Sequence, residues 1–126
     1  MLWVLKMKKR LFQNKIYVKK SKLHGYGVFA DKNIKKGEKI EECYMLLTRG
    51  GDKKLEDFYF DVKGKNAMLT GFGCIYNHSD SPNADYTFNV KKRLFSFKAQ
   101  KAIRKGEEIF VSYGDDWFSS RGLKSK

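Results

Sequence analysis

The sequence is poor in cysteine, histidine and proline. Its 126 residues include two cysteines, Cys43 and Cys74, two histidines and one proline. The cysteines lie far apart and no C-x-x-C pair occurs, so a Cys/His zinc site lacks ligands and we expect no metal ion. We interpret both cysteines as small buried side chains in a reducing compartment, with a disulfide between them as the alternative.

Long hydrophobic runs are also missing. The apolar start of the chain, residues 1–5, is interrupted by Lys6 before it reaches the length of a signal-peptide core. No segment approaches the roughly 20 apolar residues that a membrane-spanning helix needs. We therefore expect an intracellular, soluble protein without membrane contact, in which residues 1–10 form a loose basic leader.

Acidic residues are about half as frequent as basic ones. The chain has 14 Asp and Glu against 27 Lys and Arg, a net charge of +13, and residues 1–22 contain eight basic residues and no acidic one. This balance favours contact with a polyanion such as DNA, RNA or chromatin. A surface whose charges are merely solvated is an equal alternative. The hydrophobic fraction of 41% suffices for one core at this length and excludes a disordered chain.

Short apolar segments predict a mostly β fold with many short strands. The expected strands lie within residues 11–20, 28–30, 40–47, 84–90, 94–99 and 109–113. The basic triplet 91–93 lies between two of them and predicts a charged hairpin tip. Residues 53–69 are ambiguous, because Leu55, Phe58 and Tyr59 fit a helical stripe whereas residues 58–60 also fit a short strand.

One segment of the sequence occurs twice. Residues 30–40 (ADKNIKKGEKI) and 99–109 (AQKAIRKGEEI) share Ala, Lys, Ile, Lys, Gly, Glu and Ile at a constant offset of 69 positions. Each copy places a polar turn closed by Gly37 or Gly106 between two strands, where a positive φ favours glycine. Two copies are too few for a solenoid, so we expect two similar β-corners within one fold.

A cluster of polar residues follows an apolar segment in residues 71–83, GFGCIYNHSDSPN. Its polar members are Asn77, His78, Ser79, Asp80 and Asn83. Polar groups so close to a hydrophobic run are expected to be half buried, where each must find a hydrogen-bond partner. Taken alone, the stretch also fits an Asx-type turn after a buried strand.

Four segments together carry a family resemblance. They are HGYGVFA (24–30), GEKI (37–40), YNHSDSPNA (76–84) and GEEIFVSYG (106–114). In this order and spacing they resemble the SET domain of protein lysine methyltransferases, including the minimal viral members that lack flanking zinc modules. The resemblance implies a mostly β fold of several small curved sheets with a C-terminal pseudoknot. It places the SET domain at residues 11–118, between the basic leader and a short basic tail, 119–126.

The resemblance implies transfer of a methyl group from S-adenosylmethionine to a lysine ε-amine. Cofactor contacts then fall to seven further positions besides Tyr113: Gly25, Tyr26, Gly27, Asn77, His78, Trp117 and Phe118. Glycine at 25 and 27 would let the backbone approach the ligand, although an ordinary glycine turn would also explain both. For the His78 side chain we favour a satisfied core histidine over a catalytic role. No zinc is expected, since Asp80 stands where many members have cysteine.

Tyr113 is the residue that the resemblance assigns to catalysis. Its hydroxyl would align the amine and stabilise partial charge on the transferring methyl group, although a buried core tyrosine is the alternative. Aromatic residues would line the lysine channel and attract a methylated ammonium, and the predicted channel residues are Phe58, Tyr59, Val111 and Trp117, with Phe118 beside them. Val111 stands where the family usually has Phe or Tyr, which predicts di- or trimethylation.

The expected substrate is a protein with a lysine-bearing tail, most simply a histone or nucleosome, with a non-histone protein as an alternative. A nuclear, chromatin-bound location follows if the substrate is a histone, and a cytoplasmic one otherwise. We also expect a homodimer and possible non-specific contact with DNA. Seven acidic residues could form a groove for a cationic peptide: Glu41, Glu42, Glu56, Asp57, Asp61, Asp115 and Asp116.

Two other classes of protein remain open from the sequence. A basic β-rich nucleic-acid-binding module would explain the charge and the aromatic residues but not the Asn-His-Ser and Gly-Tyr-Gly motifs. A SET-like chain that has lost its activity could serve as a dimeric interaction protein. The presence of Asn77, His78 and Tyr113 argues against such a loss.

Overall fold

The computed structural model describes residues 14–23, 25–51 and 53–113, except for the side chains of residues 56 and 57. Over these residues the chain forms nine short strands and one 3-10 helix. They are β1 (Ile16–Lys20), β2 (Tyr26–Ala30), β3 (Lys39–Thr48), the 3-10 helix (Lys53–Phe58), β4 (Phe60–Val62), β5 (Lys65–Leu69), β6 (Asn77–His78), β7 (Ala84–Asn89), β8 (Leu94–Ala99) and β9 (Glu108–Val111).

The strands form two sheets. One has the order β1-β2-β9-β6 and the other the order β4-β5-β3-β8-β7. All pairs are antiparallel except β6 with β9, which run parallel. The mostly β fold of small sheets predicted from the sequence is confirmed.

The hydrophobic core lies between the two sheets. Phe95 and Phe97 of β8 alternate inward from one sheet, and Ile109 and Val111 of β9 alternate inward from the other. Tyr76 packs between them and stacks on Phe97 with ring centroids 4.1 Å apart. Buried side chains recur at every second residue in both strands, as expected for a sheet with one face in the core.

The predicted hairpin is present. β7 and β8 pair from Ala84↔Ala99 to Asn89↔Leu94, and the basic residues 91–93 lie at its tip. Arg93 has a positive φ of 59°, and its amide donates to the carbonyl of Val90 at 3.2 Å.

The ambiguous residues 53–69 contain both kinds of structure. The segment opens with the 3-10 helix and continues as the β4–β5 hairpin. The hairpin turn uses positive φ at Lys63 (52°) and Gly64 (81°), and the Asp61 carboxylate accepts from the Gly64 amide at 3.1 Å. A strand over residues 58–60 is wrong, because only Phe60 belongs to β4.

The two repeat copies pair with each other around an approximate two-fold axis. Ile34 and Ile103, equivalent positions of the two copies, exchange both backbone hydrogen bonds at 2.7 and 2.9 Å. The Gly37 amide donates to Ala99 at 2.7 Å, and the equivalent Gly106 amide donates to the carbonyl of Ala30 at 2.8 Å. The β-corners predicted from the sequence are therefore present, and they also form one paired unit.

Some expectations change with the structure. The last strand ends at Val111, so Tyr113 lies just beyond it. Glu41 is 1% exposed, so it cannot line an acidic surface groove. Cys43 and Cys74 are free thiols, so the disulfide alternative is wrong. No helix in the described residues is long and apolar enough to cross a membrane. The pseudoknot stays a prediction, because residues 114–126 lie outside the described part of the chain.

Candidate active site

The short parallel pair β6–β9 is the scaffold of the candidate site. Asn77 lies opposite Phe110 and His78 opposite Val111, and the Ser79 amide donates to the Val111 carbonyl at 3.1 Å. The pairing brings the Asn-His-Ser motif beside the segment that ends in Tyr113. The two motifs that the sequence separates by about 30 positions thus share one edge of a sheet.

Asn83 holds this scaffold together. Its side-chain oxygen accepts from the Phe110 amide at 2.8 Å, and its side-chain nitrogen donates to the Glu108 carbonyl at 2.9 Å. The side chain therefore binds β9 as a neighbouring strand would. This gives the last Asn of the motif a structural role that its sequence position alone does not reveal.

His78 orients the backbone at Tyr113. Its Nδ1 accepts from the Tyr113 amide at 2.9 Å, which assigns the ring proton to Nε2, and Nε2 donates to the Asp80 carboxylate at 2.8 Å. The rings of His78 and Tyr113 are tilted, with centroids 5.2 Å apart. This geometry supports the interpretation of the His78 side chain as a satisfied, positioning group.

The Tyr113 hydroxyl is fixed by the backbone of the same motif. It donates to the Tyr76 carbonyl at 2.6 Å. Burial, with smaller contributions from Cys74 and Glu108, raises the pKa of Tyr113 to about 12. The phenol is therefore neutral near pH 7 and acts as an oriented dipole.

Asn77 joins this scaffold to β2. Its side-chain nitrogen donates to Glu108 Oε2 at 2.7 Å and to the Tyr26 carbonyl at 3.2 Å. Glu108 in turn accepts from the Ser21 hydroxyl through Oε1 at 2.7 Å. Sequence reasoning missed Glu108. The available signal was the second repeat copy, which has glutamate where the first has Lys39.

The glycines of the Gly-Tyr-Gly motif serve two different purposes. A Cβ on Gly27 would lie 2.3 Å from Glu108 Oε2 and 3.0 Å from the Asn77 side-chain nitrogen, so glycine makes room for that pair. Gly25 has φ +49° and open space where a Cβ would be. Between them Tyr26 is 66% exposed. An exposed ring beside open space and a buried amide fits the adenosyl and amino-acid parts of S-adenosylmethionine.

The comparison with known families decides the class of protein. The SET domain family matches residues 25–114. The chain belongs to the SET-domain family. This membership favours an enzyme over a nucleic-acid-binding module, and it supports protein-lysine methylation as the reaction.

Similar SET proteins include histone methyltransferases. A Schizosaccharomyces pombe protein named histone-lysine N-methyltransferase, H3 lysine-37 specific, is 26% identical over 117 residues, covering 86% of this chain and 80% of that one. The H3 lysine-36 specific enzyme of Saccharomyces cerevisiae is 33% identical and covers 90% of this chain, which spans 18% of that relative. The solved structure of a candidate histone methyltransferase from Plasmodium falciparum superposes with a TM-score of 0.75 and 36% identity, covering 84% of this chain and 98% of that one.

The predicted channel residues of this SET domain lie in different environments. Phe58 is 46% exposed at the end of the 3-10 helix, and Tyr59 is half-buried beside Gly51. The Cys74 thiol, two residues before Tyr76, donates to the Phe58 carbonyl at 3.3 Å and links that helix to the site. Val111 is fully buried in the core. Trp117 and Phe118 lie outside the described residues.

No group of three or more His, Cys, Asp and Glu that could hold a metal ion occurs among residues 14–23, 25–51 and 53–113. The expectation that this SET domain needs no zinc stays a prediction.

Proposed function

We propose that this chain transfers methyl groups to the ε-amine of a protein lysine, with Tyr113 as the catalytic residue. The observation that carries the proposal is the bond from the Tyr113 hydroxyl to the Tyr76 carbonyl, immediately before Asn77. This bond uses the hydroxyl proton, so the phenol oxygen presents lone pairs to the reacting groups. A fixed, neutral oxygen can then align the amine and stabilise the partial positive charge of the methyl group.

The lysine must lose its proton to react, because its ordinary pKa is about 10.4. Burial in an apolar channel lowers the pKa of an amine, since the charged form loses its hydration. Phe58, Tyr59 and Val111, with Trp117, are the channel residues we propose. Their contribution is to strip water from the amine and to hold it in line with the methyl group.

S-adenosylmethionine would supply the methyl group as a sulfonium and leave as S-adenosylhomocysteine. The residues we propose to hold it are Gly25, Tyr26, Gly27, Asn77 and His78, beside Tyr113. The exposed Tyr26 ring can lie along the adenosyl part. The Asn77 side chain, held in place by the Tyr26 carbonyl and Glu108, can contact the amino-acid part. Trp117 and Phe118 are proposed to close the same site.

We propose a histone tail as the substrate, and chromatin as the location. The support is that similar SET proteins are named for lysine-36 or lysine-37 of histone H3. We also propose that the chain forms a homodimer, which sedimentation would measure. A non-histone protein is the alternative substrate, which an assay with a cell lysate would detect.

Val111 supports a prediction about the product. A valine two residues before Tyr113 is smaller than Phe or Tyr and cannot hydrogen-bond the amine, so it leaves room for a methylated ammonium to turn. We expect dimethyl- and trimethyl-lysine at saturating cofactor.

The test is mass spectrometry of core histones and of a lysate after incubation with the protein and S-adenosylmethionine. We expect methyl-lysine on histone H3, extending to the di- or trimethyl form. Product confined to non-histone proteins would overturn the histone assignment. Product that stops at monomethyl-lysine would overturn the interpretation of Val111. Absence of both transfer and cofactor binding would overturn the proposed function.

A further inference from the structure

The paired repeat copies gather six basic side chains on one part of the surface, which we name the paired-turn surface. These residues are Lys32, Lys35, Lys36, Lys101, Arg104 and Lys105, and all six are exposed. None of them takes part in the proposed methyl transfer.

Backbone pairing brings together the two turns that carry the six basic residues. The two copies run antiparallel through the Ile34↔Ile103 bridge. Further backbone bonds join the copies on both sides of the bridge, from the Gly37 amide to the Ala99 carbonyl and from the Gly106 amide to the Ala30 carbonyl. The amide of Lys105 also donates to the Asn33 side-chain oxygen at 2.9 Å, which ties the copies together at that end.

The two turns also carry acidic residues, but fewer than basic ones. Glu38 accepts from the Lys35 amide at 3.0 Å and forms an ion pair with Lys15, which is not one of the six. The equivalent Glu107 accepts from the Arg104 amide at 2.6 Å. Asp31 is the remaining acidic residue of the first copy up to Glu38, and it is exposed.

The surface therefore carries a net positive charge: its six basic residues outnumber the exposed Asp31 and Glu107, and Glu38 is paired with Lys15. The ion pairs among the described residues involve Lys15, Lys39 and His78, and none of them involves the six basic residues of this surface. Like charges on adjoining turns repel one another. An external polyanion would relieve this repulsion.

We propose that the paired-turn surface binds the phosphate backbone of duplex DNA. Five lysines and one arginine supply charge without a fixed pattern of base contacts, which suits sequence-independent phosphate binding. Neither repeat copy contains an aromatic residue, so the surface has nothing on which single-stranded bases could stack.

The test compares two variants that each remove four positive charges. The first carries Lys32→Gln, Lys36→Gln, Lys101→Gln and Lys105→Gln on the paired-turn surface. The matched control carries Lys53→Gln, Lys65→Gln, Lys91→Gln and Lys92→Gln, all exposed positions elsewhere, including the hairpin tip. Binding of the full chain to a short fluorescent DNA duplex is measured by anisotropy between about 50 and 200 mM salt.

The surface variant should bind at least about tenfold more weakly than the control. Its plot of log K against log salt should lose a slope of about 3 to 4, because each lost phosphate contact removes about 0.9. Its thermal unfolding midpoint should stay unchanged or rise, since repulsion is removed. Methyl transfer to an isolated lysine peptide should match that of the wild type, which separates this proposal from the proposed function.

Three results would overturn the proposal. Equal weakening by the two variants would mean that diffuse charge alone drives binding. Tighter binding of single-stranded DNA, duplex RNA or polyglutamate than of duplex DNA would assign the surface to another polyanion. A wild-type protein that does not bind the duplex at low salt would exclude the surface as a DNA site.

Discussion

Glu41 is a carboxyl group within the hydrophobic core. It is 1% exposed, accepts from the Tyr76 hydroxyl through Oε1 at 2.7 Å and accepts from the Phe72 amide through Oε2 at 2.8 Å. These bonds tie β3 to the segment that leads into β6. Since the Tyr76 carbonyl accepts from the Tyr113 hydroxyl, Glu41 helps to fix the residue that holds the proposed catalytic side chain.

Stability should therefore depend on pH through Glu41. Burial raises the pKa of its carboxyl above the ordinary value of 4.5. The stability contributed by the neutral form is fully present below 4.5 and is lost as pH rises through the folded-state pKa. Glu41→Gln removes this loss, so its free energy of unfolding should improve relative to wild type between acidic and neutral pH. Urea unfolding of the variant and the wild type, at acidic and at neutral pH, measures this difference in the free energy of unfolding.

The matched control for this prediction is Glu42→Gln, the neighbouring carboxyl, which binds Lys39 and Ser96 instead. If Glu41→Gln and Glu42→Gln follow the same pH dependence, the account of Glu41 is wrong.

Glu108 should act on cofactor affinity through Asn77. Glu108→Ala removes the acceptor that holds the Asn77 amide at 2.7 Å. Losing a charged hydrogen-bond partner costs about 1.5–3 kcal/mol, so we expect S-adenosylmethionine binding to weaken about tenfold or more in calorimetry. Because Glu108 positions rather than reacts, kcat at saturating cofactor should fall much less than the affinity does.

Glu107→Ala is the matched control, since the neighbouring Glu107 carboxylate accepts from the Arg104 amide in the turn, whereas Glu108 accepts from Asn77. Equal losses of cofactor affinity in the two variants would contradict a specific role for Glu108. Partial recovery of affinity in Glu108→Gln, which retains one acceptor oxygen, would support it.

Each of the two β-corners contains a glycine with a positive φ, so the cost of replacing such a glycine can be measured at two equivalent positions. Gly37 and Gly106 have φ of +85° and +90°, with open space where a Cβ would lie. Alanine at either position should thus lower the free energy of unfolding by about 1–2 kcal/mol through backbone strain alone. Similar losses in Gly37→Ala and Gly106→Ala, measured by chemical denaturation, are the expected result.

Gly50→Ala provides the comparison, because Gly50 also faces open space but has no positive φ. It should be neutral or slightly stabilising. If Gly50→Ala cost as much as the other two substitutions, the lost stability would come from something other than the turn conformation.

Local patterns predicted the elements better than they predicted the contacts between them. The apolar segments located β3, β7 and β8 to within about a residue at each end. The basic triplet 91–93 marked the tip of the β7–β8 hairpin. Those features depend on neighbouring residues. The pairing of the repeat copies and the Asn77–Glu108 bond join residues far apart in the sequence, which no local pattern specifies.

The burial of Glu41 shows how one irregular residue defeats a pattern. A register shift between Lys39 and Glu41 in the pairing of β3 with β8 puts two successive side chains, Ile40 and Glu41, inside the core. Strict alternation would have left one of them outside. Such bulges are set by the partner strand, so the sequence of β3 alone does not reveal them.

In the whole molecule, Tyr76 connects the core to the candidate site. Its ring stacks on Phe97 of the five-stranded sheet, and its hydroxyl binds Glu41. Its carbonyl holds Tyr113 beside the four-stranded sheet. The two sheets therefore determine together where the Tyr113 oxygen lies, although Tyr113 itself follows the end of β9.

Tyr113→Phe tests the central claim most directly. The substitution keeps the ring and removes the hydroxyl that binds Tyr76. S-adenosylmethionine binding, measured by calorimetry, and methyl-lysine formation, measured by mass spectrometry, are followed on the same samples. We predict cofactor affinity close to that of the wild type and a loss of transfer of about a hundredfold or more, the size of effect seen when one positioned polar group is removed. Transfer at the wild-type rate, or equal loss of binding and transfer, would contradict a catalytic role for Tyr113.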